Sequence, residues 1–265
     1  MPELAEVEFF RKTWNPGLKQ PVLRVAVHAD KRIFRGTDVA ALAKGLTGKI
    51  YQNSEAHGKQ MIFRFGSDAW LGLHLGMTGK LRTEPAGFKA GKHDHLVLFQ
   101  QQRALVFSDP RLFGRVRFHQ GGTPDWWQSL PPALSSKEFT LPYFADQLVR
   151  HARAPIKAVL LKQERFPGIG NWMADEILWQ GRCDPRRLAG SLTATEVKRL
   201  HAATRHVVRH ALRSVGASFA DPPTGWLFHT RWSAHGRCPI HQTPLMRGVV
   251  GGRTTAWCPR CQKPV

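Results

Sequence analysis

Apolar residues near the start of the chain recur at helical spacing, three or four positions apart, until the breaker sequence Asn-Pro-Gly at 15–17. The members of this stripe are Leu4, Val7, Phe10 and Trp14. The pattern predicts an amphipathic helix with one apolar face, and it places Glu3 and Glu6 together on a neighbouring face.

From about Val22 to Phe118 the pattern changes to short apolar or alternating runs separated by turn residues. The runs are VLRVAVH, KQMIFRF, AWLGLHL, HLVLF and RALVFS. Short runs at this spacing are typical of strands in an antiparallel β-sandwich or barrel. We therefore expect this part of the chain to form such a β-domain.

The stretch QSLPPALSSKEFTLP is rich in proline and serine and is typical of a linker. Beyond it the pattern is helical again, in PIKAVLLKQ, NWMADEILWQG and TATEVKRLHAATRHVVRHALRSVG. The tight, glycine-containing ERFPGIGN separates the first two of these segments. The sequence thus predicts an α+β protein with a β-domain, a helical domain and a compact cysteine-bearing tail.

The composition narrows the class of partner. The chain has 265 residues, enough for one large domain or two ordinary ones. Its 39 Lys and Arg against 19 Asp and Glu give a formal net charge of +20, spread along the sequence. Such an excess favours a polyanionic partner, either nucleic acid or a membrane surface. No apolar run reaches transmembrane length and the N-terminus lacks the pattern of a secretion signal, so we expect a cytoplasmic protein, associated with the nucleoid if DNA is the partner.

Three of the four cysteines lie in the tail, where their spacing is that of a metal site. Cys238 and His241 form one pair with two intervening residues, and Cys258 and Cys261 form another such pair after sixteen intervening residues. This spacing predicts a closed tetrahedral zinc site on a hairpin, structural because four protein ligands leave no position for water. The alternative is that His241 is an ordinary polar residue and that the cysteines are free thiols.

Two further residues stand where backbone turns can present them to a phosphate. Between the ligand pairs, GGRTTAW allows a tight turn that places Arg253 near the hairpin tip, where a guanidinium can contact a phosphate bidentately. In GIGNW, Asn171 is suited to cap the next helix, whose first amides can also bind a phosphate. An exposed arginine without a role and a purely capping asparagine are the alternatives.

Two turns between predicted strands carry apolar and basic side chains. HLGMTGKL contains Met77, and SDPRLFG contains Arg111 and Phe113. Apolar residues on loops of a basic protein are suited to wedge into a stack of bases, although Met and Phe are more often core residues. Lys59 in AHGKQ and His74 in HLGM are expected phosphate contacts, with an ordinary solvated surface as the alternative.

The chain resembles the formamidopyrimidine-DNA glycosylase/endonuclease VIII family in seven segments that span essentially its whole length in the expected order. They are MPELAEVE, HGK, HLGMTGKL, KHDH, DPRLFG, GIGN and RTTAWCPRCQ. Members of this family are bifunctional DNA glycosylase/AP lyases with a β-sandwich, a helix-two-turn-helix domain and a zinc finger. The resemblance implies a catalytic β-sandwich domain with a leading helix over 1–128, a linker over 129–143, a helix-two-turn-helix domain over 144–230 and a zinc-finger hairpin over 231–265.

The resemblance also implies a role for the N-terminus. Pro2, once Met1 is removed, would be the nucleophile that attacks C1′ of a damaged nucleotide, because an α-amino group with a pKa of roughly 8 is partly neutral at pH 7. Glu3 would be the general acid at the sugar ring oxygen, and Glu6 a supporting carboxylate. The alternative is an ordinary helix start, in which proline fixes the backbone and the glutamates complement the helix dipole.

The other residues that match the family's motifs would hold DNA. The positions that match phosphate contacts around an extruded nucleotide are Lys59, His74, Asn171 and Arg253, of which Lys59 is grouped with the catalytic residues. Those that match residues filling the space left in the duplex are Met77, Arg111 and Phe113. The resemblance therefore implies a monomer that carries one structural Zn²⁺ and acts on duplex DNA with damaged bases or abasic sites.

Four features depart from the family pattern. Ala5 stands where proline is frequent, Leu112 replaces a common arginine, and His241 replaces a cysteine ligand. The segment from Val215 to Gly236 is shorter than in enzymes that cap 8-oxoguanine with a long loop, and its GWLFHTRW resembles endonuclease VIII-like members. Met77, Arg111 and Phe113 favour one branch of the family and this segment favours the other. The preferred lesion is therefore left open.

Two other classes of protein share part of the pattern. A family-derived protein that binds damaged DNA without cutting it has no chemical reason to retain Pro2, Glu3 and Glu6. A basic zinc-ribbon protein of ribosomes or transcription would explain the charge and the tail but not the N-terminus. A bifunctional DNA glycosylase/AP lyase acting on oxidised bases accounts for all three features.

Overall fold

The computed structural model describes residues 1–263, which form two compact units. The first unit comprises residues 1–2 and 6–130, and the second comprises residues 3–5 together with the described residues from 131 onward. The first helix, α1 (Leu4–Lys12), thus begins in the second unit and continues in the first. The helices of the described part of the chain are all too short or too polar to cross a membrane.

The first unit is a β-sandwich of two four-stranded antiparallel sheets. Its strands are β1 (Arg24–Val27), β2 (Tyr51–His57), β3 (Gln60–Phe65), β4 (Ala69–His74), β5 (Lys80–Pro85), β6 (Asp94–Phe99), β7 (Arg103–Ser108) and β8 (Arg115–Gln120). One sheet has the strand order β1-β6-β7-β5, and the other has the order β2-β3-β4-β8. The predicted β-sandwich is therefore confirmed.

Large apolar side chains from both sheets form the core of this sandwich. In the β3–β4 pair, Phe63 lies opposite Leu71, and both side chains are fully buried. Trp14 lies just beyond α1 and packs on Phe63 with ring centroids 4.8 Å apart, and Val7 and Phe10 of α1 join the same core. Each large apolar side chain removed from water contributes about 1.5–3 kcal/mol. Three members of the predicted stripe, Val7, Phe10 and Trp14, thus pack on the sandwich, whereas Leu4 belongs to the core of the second unit.

Two helices of the first unit were not expected from the pattern of short strands. They are α2 (Val39–Leu46) and the single turn α3 (Asp125–Gln128). Asp38 caps α2 by accepting a hydrogen bond from the Ala41 amide at 2.9 Å. Leu42 and Leu46, one helical turn apart, are its buried residues. A helix of eight residues gives too few repeats of this spacing to be distinguished from a strand.

The second unit is built from helices and one hairpin. Its helices are α4 (Leu141–Arg150), α5 (Ile156–Leu160), α6 (Asn171–Gln180), α7 (Ala194–Arg213) and α8 (Val215–Ser218). Thr193 and Glu196 form a capping box at the start of α7, where a helix was predicted. Helix α4 lies outside the predicted helical segments. Helix α5 is shorter than PIKAVLLKQ because Gln163 donates to the carbonyls of Leu161 and Ile169, which folds the chain into a turn.

The hairpin consists of β9 (Met246–Val250) and β10 (Arg253–Trp257), paired antiparallel. Gly251 and Gly252 connect the strands with φ values of +59° and +72°, in the left-handed region that glycine adopts without strain. The expected tight turn is confirmed, and Arg253 is the first residue after it.

Candidate active site and DNA-binding residues

The carboxylate of Glu3 lies at the N-terminus of α6, in the second unit. It accepts hydrogen bonds from three backbone amides, those of Gly170 (3.0 Å), Trp172 (3.0 Å) and Met173 (3.1 Å). The residue is only 4% exposed. Hydrogen bonds to a charged acceptor are about twice as strong as neutral ones, and the helix dipole adds to them. Glu3 is therefore held in one position although it comes from the very start of the chain.

Glycine at position 170 makes this arrangement possible. A Cβ atom there would lie 2.2 Å from Glu3 Cδ, a distance that real Cβ atoms essentially never show. Gly170 is also the N-cap residue of α6, and the prediction that Asn171 caps this helix is wrong. Glu3 takes the capping role, because its carboxylate bonds the free amides, and Asn171 Nδ2 instead donates to the carbonyl of Thr254 at 2.9 Å.

The predicted nucleophile and its neighbours belong to the first unit. Pro2 is half-buried, and Met1, which precedes it, is 52% exposed. Lys59 Nζ, in the turn between β2 and β3, lies 3.9 Å from Met1 Sδ. Glu6 is half-buried in the first turn of α1. The structure thus brings the Lys59 cation beside Met1.

His74, the last residue of β4, is a neutral imidazole near pH 7. Burial, reinforced by three nearby cations, lowers the pKa of His74 to about 4. The cations are Lys59, Arg35 and Arg117. His74 Nδ1 accepts a hydrogen bond from the Gly76 amide at 3.0 Å, which leaves the ring proton on Nε2. The side chain therefore carries a neutral N–H donor in cationic surroundings, an arrangement suited to a phosphate.

The two turns that carry the predicted wedge residues pack against each other. A Cβ atom on Gly76 would lie 2.5 Å from the backbone carbonyl carbon of Phe113, so the turns meet backbone to backbone. Met77 is 38% exposed and Phe113 is 42% exposed. The guanidinium of Arg111 lies over the Phe113 ring, 5.0 Å from its centroid. The three side chains therefore belong to one small region of the surface.

Asp109, a residue that the sequence did not single out, joins these turns. Its carboxylate is fully buried and accepts hydrogen bonds from the Thr78 hydroxyl at 2.9 Å and from the Gly114 amide at 2.7 Å. The side chain of Thr78 belongs to the Met77 turn, and Gly114 follows Phe113. Asp109 therefore fixes both turns with one buried charge.

The hairpin tip is fastened to α5 and α6 by a buried ionic cluster. Lys157, which is fully buried, donates to the carbonyl of Thr254 at 3.0 Å and to Thr255 Oγ1 at 2.8 Å. Its Nζ also lies 2.6 Å from Asp175 Oδ1, and Asp175 Oδ2 accepts a bond of 2.5 Å from Arg231. Burial lowers the pKa of Lys157, and the Asp175 carboxylate opposes that shift.

These contacts hold the backbone next to Arg253, whose side chain is exposed. The carbonyl of Thr254 accepts hydrogen bonds from both Asn171 and Lys157. The cluster has a signal in the sequence. A lysine in the apolar run PIKAVLL and an aspartate in the apolar run NWMADEILW are charges that a buried helix keeps only when they are paired.

The four predicted metal ligands meet beyond the other end of the hairpin. Their ligand atoms all lie within 4.8 Å of one another. His241 Nδ1 lies 3.7 Å from Cys238 Sγ and 3.9 Å from Cys258 Sγ, and Cys261 Sγ lies 3.6 Å from Cys238 Sγ. The distance of 2.9 Å between His241 Nδ1 and Cys261 Sγ is shorter and would have to widen when both bind an ion. A tetrahedral ion with bonds of about 2.3 Å to sulfur and about 2.0 Å to nitrogen separates its ligands by about 3.5–3.8 Å. The cluster can therefore hold a metal ion.

Hydrogen bonds to sulfur add to this fit. The indole of Trp179 donates to Cys238 Sγ at 3.4 Å, and the Cys261 amide donates to Cys258 Sγ at 3.4 Å. Burial works against ionisation of Cys238, but N–H donors from His241, Trp179 and Ile240 outweigh it and lower the pKa of this thiol to about 6. A thiolate is the form of cysteine that binds metal.

Comparison with known proteins agrees with the resemblance that the motifs carry. Residues 1–116 match the N-terminal domain of formamidopyrimidine-DNA glycosylase, and residues 130–221 match its H2TH domain. The chain belongs to the formamidopyrimidine-DNA glycosylase family. Both matched regions contain predicted site residues, with Glu3, Lys59 and His74 in the first and Asn171 in the second.

Relatives in the formamidopyrimidine-DNA glycosylase family match the chain over its full length. The enzyme of Thermus thermophilus is 37% identical, and the match covers 99% of this chain and 98% of the relative. The enzyme of Exiguobacterium sibiricum is 31% identical, with 99% of both chains covered.

Solved structures of the Lactococcus lactis enzyme are also similar. Its complex with DNA containing an oxidised pyrimidine has a TM-score of 0.88 at 27% identity, and its complex with DNA containing an abasic site has a TM-score of 0.89 at 26% identity. Each match covers 99% of this chain and 100% of the other. This chain is accordingly a DNA glycosylase of base excision repair.

Proposed function

We propose that this protein is a bifunctional DNA glycosylase/AP lyase whose nucleophile is the amine of Pro2, exposed by removal of Met1. The observation that carries the proposal is the Glu3 carboxylate, which directly follows Pro2 and is held by three amides at the start of α6. A glutamate that only began a helix would have no need of a partner 167 residues away in the chain.

In the proposed reaction, the Pro2 nitrogen bonds to C1′ of the damaged nucleotide as the bond from C1′ to the base breaks, and the base leaves as an anion that takes a proton from water. A proton delivered to the ring oxygen opens the sugar and gives a cationic iminium. This cation acidifies the C2′ proton, whose loss expels the 3′-phosphate. A second elimination expels the 5′-phosphate, and hydrolysis of the iminium frees Pro2.

The acidic and basic side chains have separate tasks in this scheme. Glu3 relays to the ring oxygen the proton that the Pro2 amine gives up, and its three hydrogen bonds keep the carboxylate where the relay needs it. Glu6, one turn further along α1, supports this transfer. Lys59 stands beside Met1 and neutralises a phosphate next to the reacting sugar.

Duplex DNA with a damaged base or an abasic site is the proposed substrate. His74 Nε2, Asn171 and Arg253 bind phosphates around the extruded nucleotide, and the formal charge of +20 favours this polyanion. Met77, Arg111 and Phe113 fill the space that the base leaves, in agreement with their common position on two joined turns. The protein acts as a monomer in the cytoplasm, at the nucleoid.

The metal is proposed to be one structural Zn²⁺ held by Cys238, His241, Cys258 and Cys261. The distances between the ligand atoms and the N–H donors to sulfur support this assignment. A closed set of four protein ligands supplies folding energy and leaves the chemistry to Pro2.

The nucleophile can be tested by trapping the iminium. Borohydride added during reaction with abasic-site DNA should leave a stable protein–DNA crosslink on the N-terminal peptide, and mass spectrometry of the free protein should show the loss of one methionine. Lys59→Met serves as the matched control, because it removes a nearby amine and should still give the crosslink.

Two outcomes would contradict the proposal. One is a crosslink that maps to an internal lysine, and the other is full base excision by a chain whose N-terminus is blocked by a retained tag. Tight binding of damaged duplex without any cleavage would instead identify a non-catalytic binder of distorted DNA.

A further inference from the structure

One tryptophan of the second unit is exposed but is held firmly in place. Trp232 is 60% exposed, whereas the other eight tryptophans, all within the described residues, are buried or half-buried. The guanidinium of Arg231 lies over the Trp232 ring, 4.1 Å from its centroid. Phe228 meets the same ring edge-on, with centroids 5.8 Å apart. One face of the indole is thus backed by a cation, while most of the side chain stays exposed to solvent.

The groups that brace Trp232 are themselves anchored in the interior. Arg231 is 4% exposed, and its guanidinium donates twice to Asp175 Oδ2, at 2.5 Å and 3.2 Å. The Phe228 amide donates to Glu176 Oε2 at 3.0 Å. Asp175 and Glu176 are buried residues of α6. The exposed ring is therefore fixed before any ligand arrives, and little side-chain entropy remains to be lost on binding.

A chain of ring contacts joins Trp232 to the residue that holds Glu3. Phe228 packs edge-on against Trp172 with centroids 5.1 Å apart, and the Trp172 amide donates to Glu3 Oε1. The exposed indole therefore lies two ring contacts from a residue that positions the proposed proton relay. It also belongs to the segment 215–236, in which the sequence departs from the enzymes that use a long capping loop.

We propose that the exposed indole of Trp232 stacks on the damaged base after the base has left the duplex. This inference rests on the proposed function, because the damaged base must leave the duplex before it can meet the indole. Single exposed apolar residues are common on soluble proteins and need no role. A flat ring that is rigid, backed by a cation and linked by two ring contacts to a residue that holds Glu3 has the properties of a stacking surface for nucleobases, which accepts any base through its π-face.

The test compares two duplex substrates, one with a damaged base and one with a pre-formed abasic site at the same position. Trp232→Ala should lower kcat/KM for base excision between about 5-fold and about 150-fold, the range for the loss of one base–aromatic stack. Cleavage of the abasic site should stay unchanged, because no base is present to be stacked. Repeating the pair with an oxidised purine and an oxidised pyrimidine measures which lesion relies more on the indole.

Three variants make the comparison specific. Trp232→Phe keeps an aromatic ring and should retain most of the activity, whereas Trp232→Leu keeps an apolar surface and should behave like Trp232→Ala. Trp70→Ala is the matched control, because Trp70 also has an arginine over its ring, Arg64 at 5.3 Å, but lies in the first unit on β4. Trp70→Ala should change neither reaction.

The possible failures point to different errors. Equal losses on both substrates by Trp232→Ala, unchanged excision by this variant, or a leucine variant as active as the phenylalanine variant would each overturn the stacking role. A wild-type protein that cleaves neither substrate would overturn the proposed function itself.

Discussion

Substitution of Gly170 by alanine tests whether the position of Glu3 matters for catalysis. The new Cβ atom would lie 2.2 Å from Glu3 Cδ, about 1.2 Å short of the 3.4 Å at which ordinary contact begins. Gly170 has φ −119° and ψ −159°, an extended conformation that alanine can adopt. The backbone therefore tolerates the change, and the steric clash is with the side chain of Glu3.

The size of the effect follows from the hydrogen bonds that must stretch. A shift of about 1.2 Å takes bonds of 3.0–3.1 Å beyond hydrogen-bonding distance. Each bond to a charged group contributes about 1.5–3 kcal/mol, so the loss of one bond should destabilise the fold by that amount. A displacement of about 1 Å at a catalytic group should lower base excision about 100-fold.

The assay is a double-mutant cycle with Glu3→Ala, read by urea unfolding and by single-turnover base excision. In the Glu3→Ala background the added methyl group meets no carboxylate, and Gly170→Ala should then stabilise the protein by about 0.4–1 kcal/mol through the unfolded chain. The sign of the stability change should therefore reverse between the two backgrounds. An equal cost in both, or a Gly170→Ala enzyme with wild-type activity, would refute the reasoning.

The metal cluster, the paired turns and a buried glutamate give three further expectations. Cys258→Ser should reduce bound metal below one equivalent per chain and weaken DNA binding while the sandwich stays folded; elemental analysis that finds no zinc in wild-type protein purified without chelator would contradict this. Met77→Ala and Phe113→Ala should impair cleavage at a damaged base much more than at an abasic site, since extruding a paired base costs a few kcal/mol; equal losses would indicate ordinary packing damage. Burial raises the pKa of Glu176 to about 7 from its usual 4.5, so the folded protein should lose up to about 3 kcal/mol of stability as pH rises between those values. Glu176→Gln should abolish that dependence and be more stable at pH 8; identical pH profiles would exclude the assignment.

Local patterns predicted the parts of the fold that depend on neighbours in sequence. The apolar stripe of α1, the strands of the sandwich and the turn at Gly251 and Gly252 are each encoded within a few residues. The spacing of Cys238, His241, Cys258 and Cys261 likewise predicted that these four side chains come together, because a hairpin with a short turn brings its two ends close to each other.

Contacts between distant segments were not predictable in this way. The sequence favours Asn171 as the cap of α6 because an asparagine at a helix start is a common cap, but a carboxylate with a full charge competes better for the free amides. Nothing near position 171 reveals that Glu3 supplies it. The buried charges of Asp109, Lys157 and Asp175 could be recognised as unusual, but their partners could not be identified without the fold.

The β9–β10 hairpin is secured by unlike chemistry at its two ends, and this affects how freely its sequence can vary. Beyond β10, three cysteine sulfurs and the His241 imidazole meet at one site. Replacing a cysteine by a histidine there exchanges one metal-binding side chain for another. Near the tip, Thr254 and Thr255 are bound by Lys157, whose partner is Asp175, and removing one member of a buried pair costs about 3–5 kcal/mol. During evolution the metal end can therefore accept a single exchange of one ligand residue for another, whereas the end that carries Arg253 can change only when several residues change together.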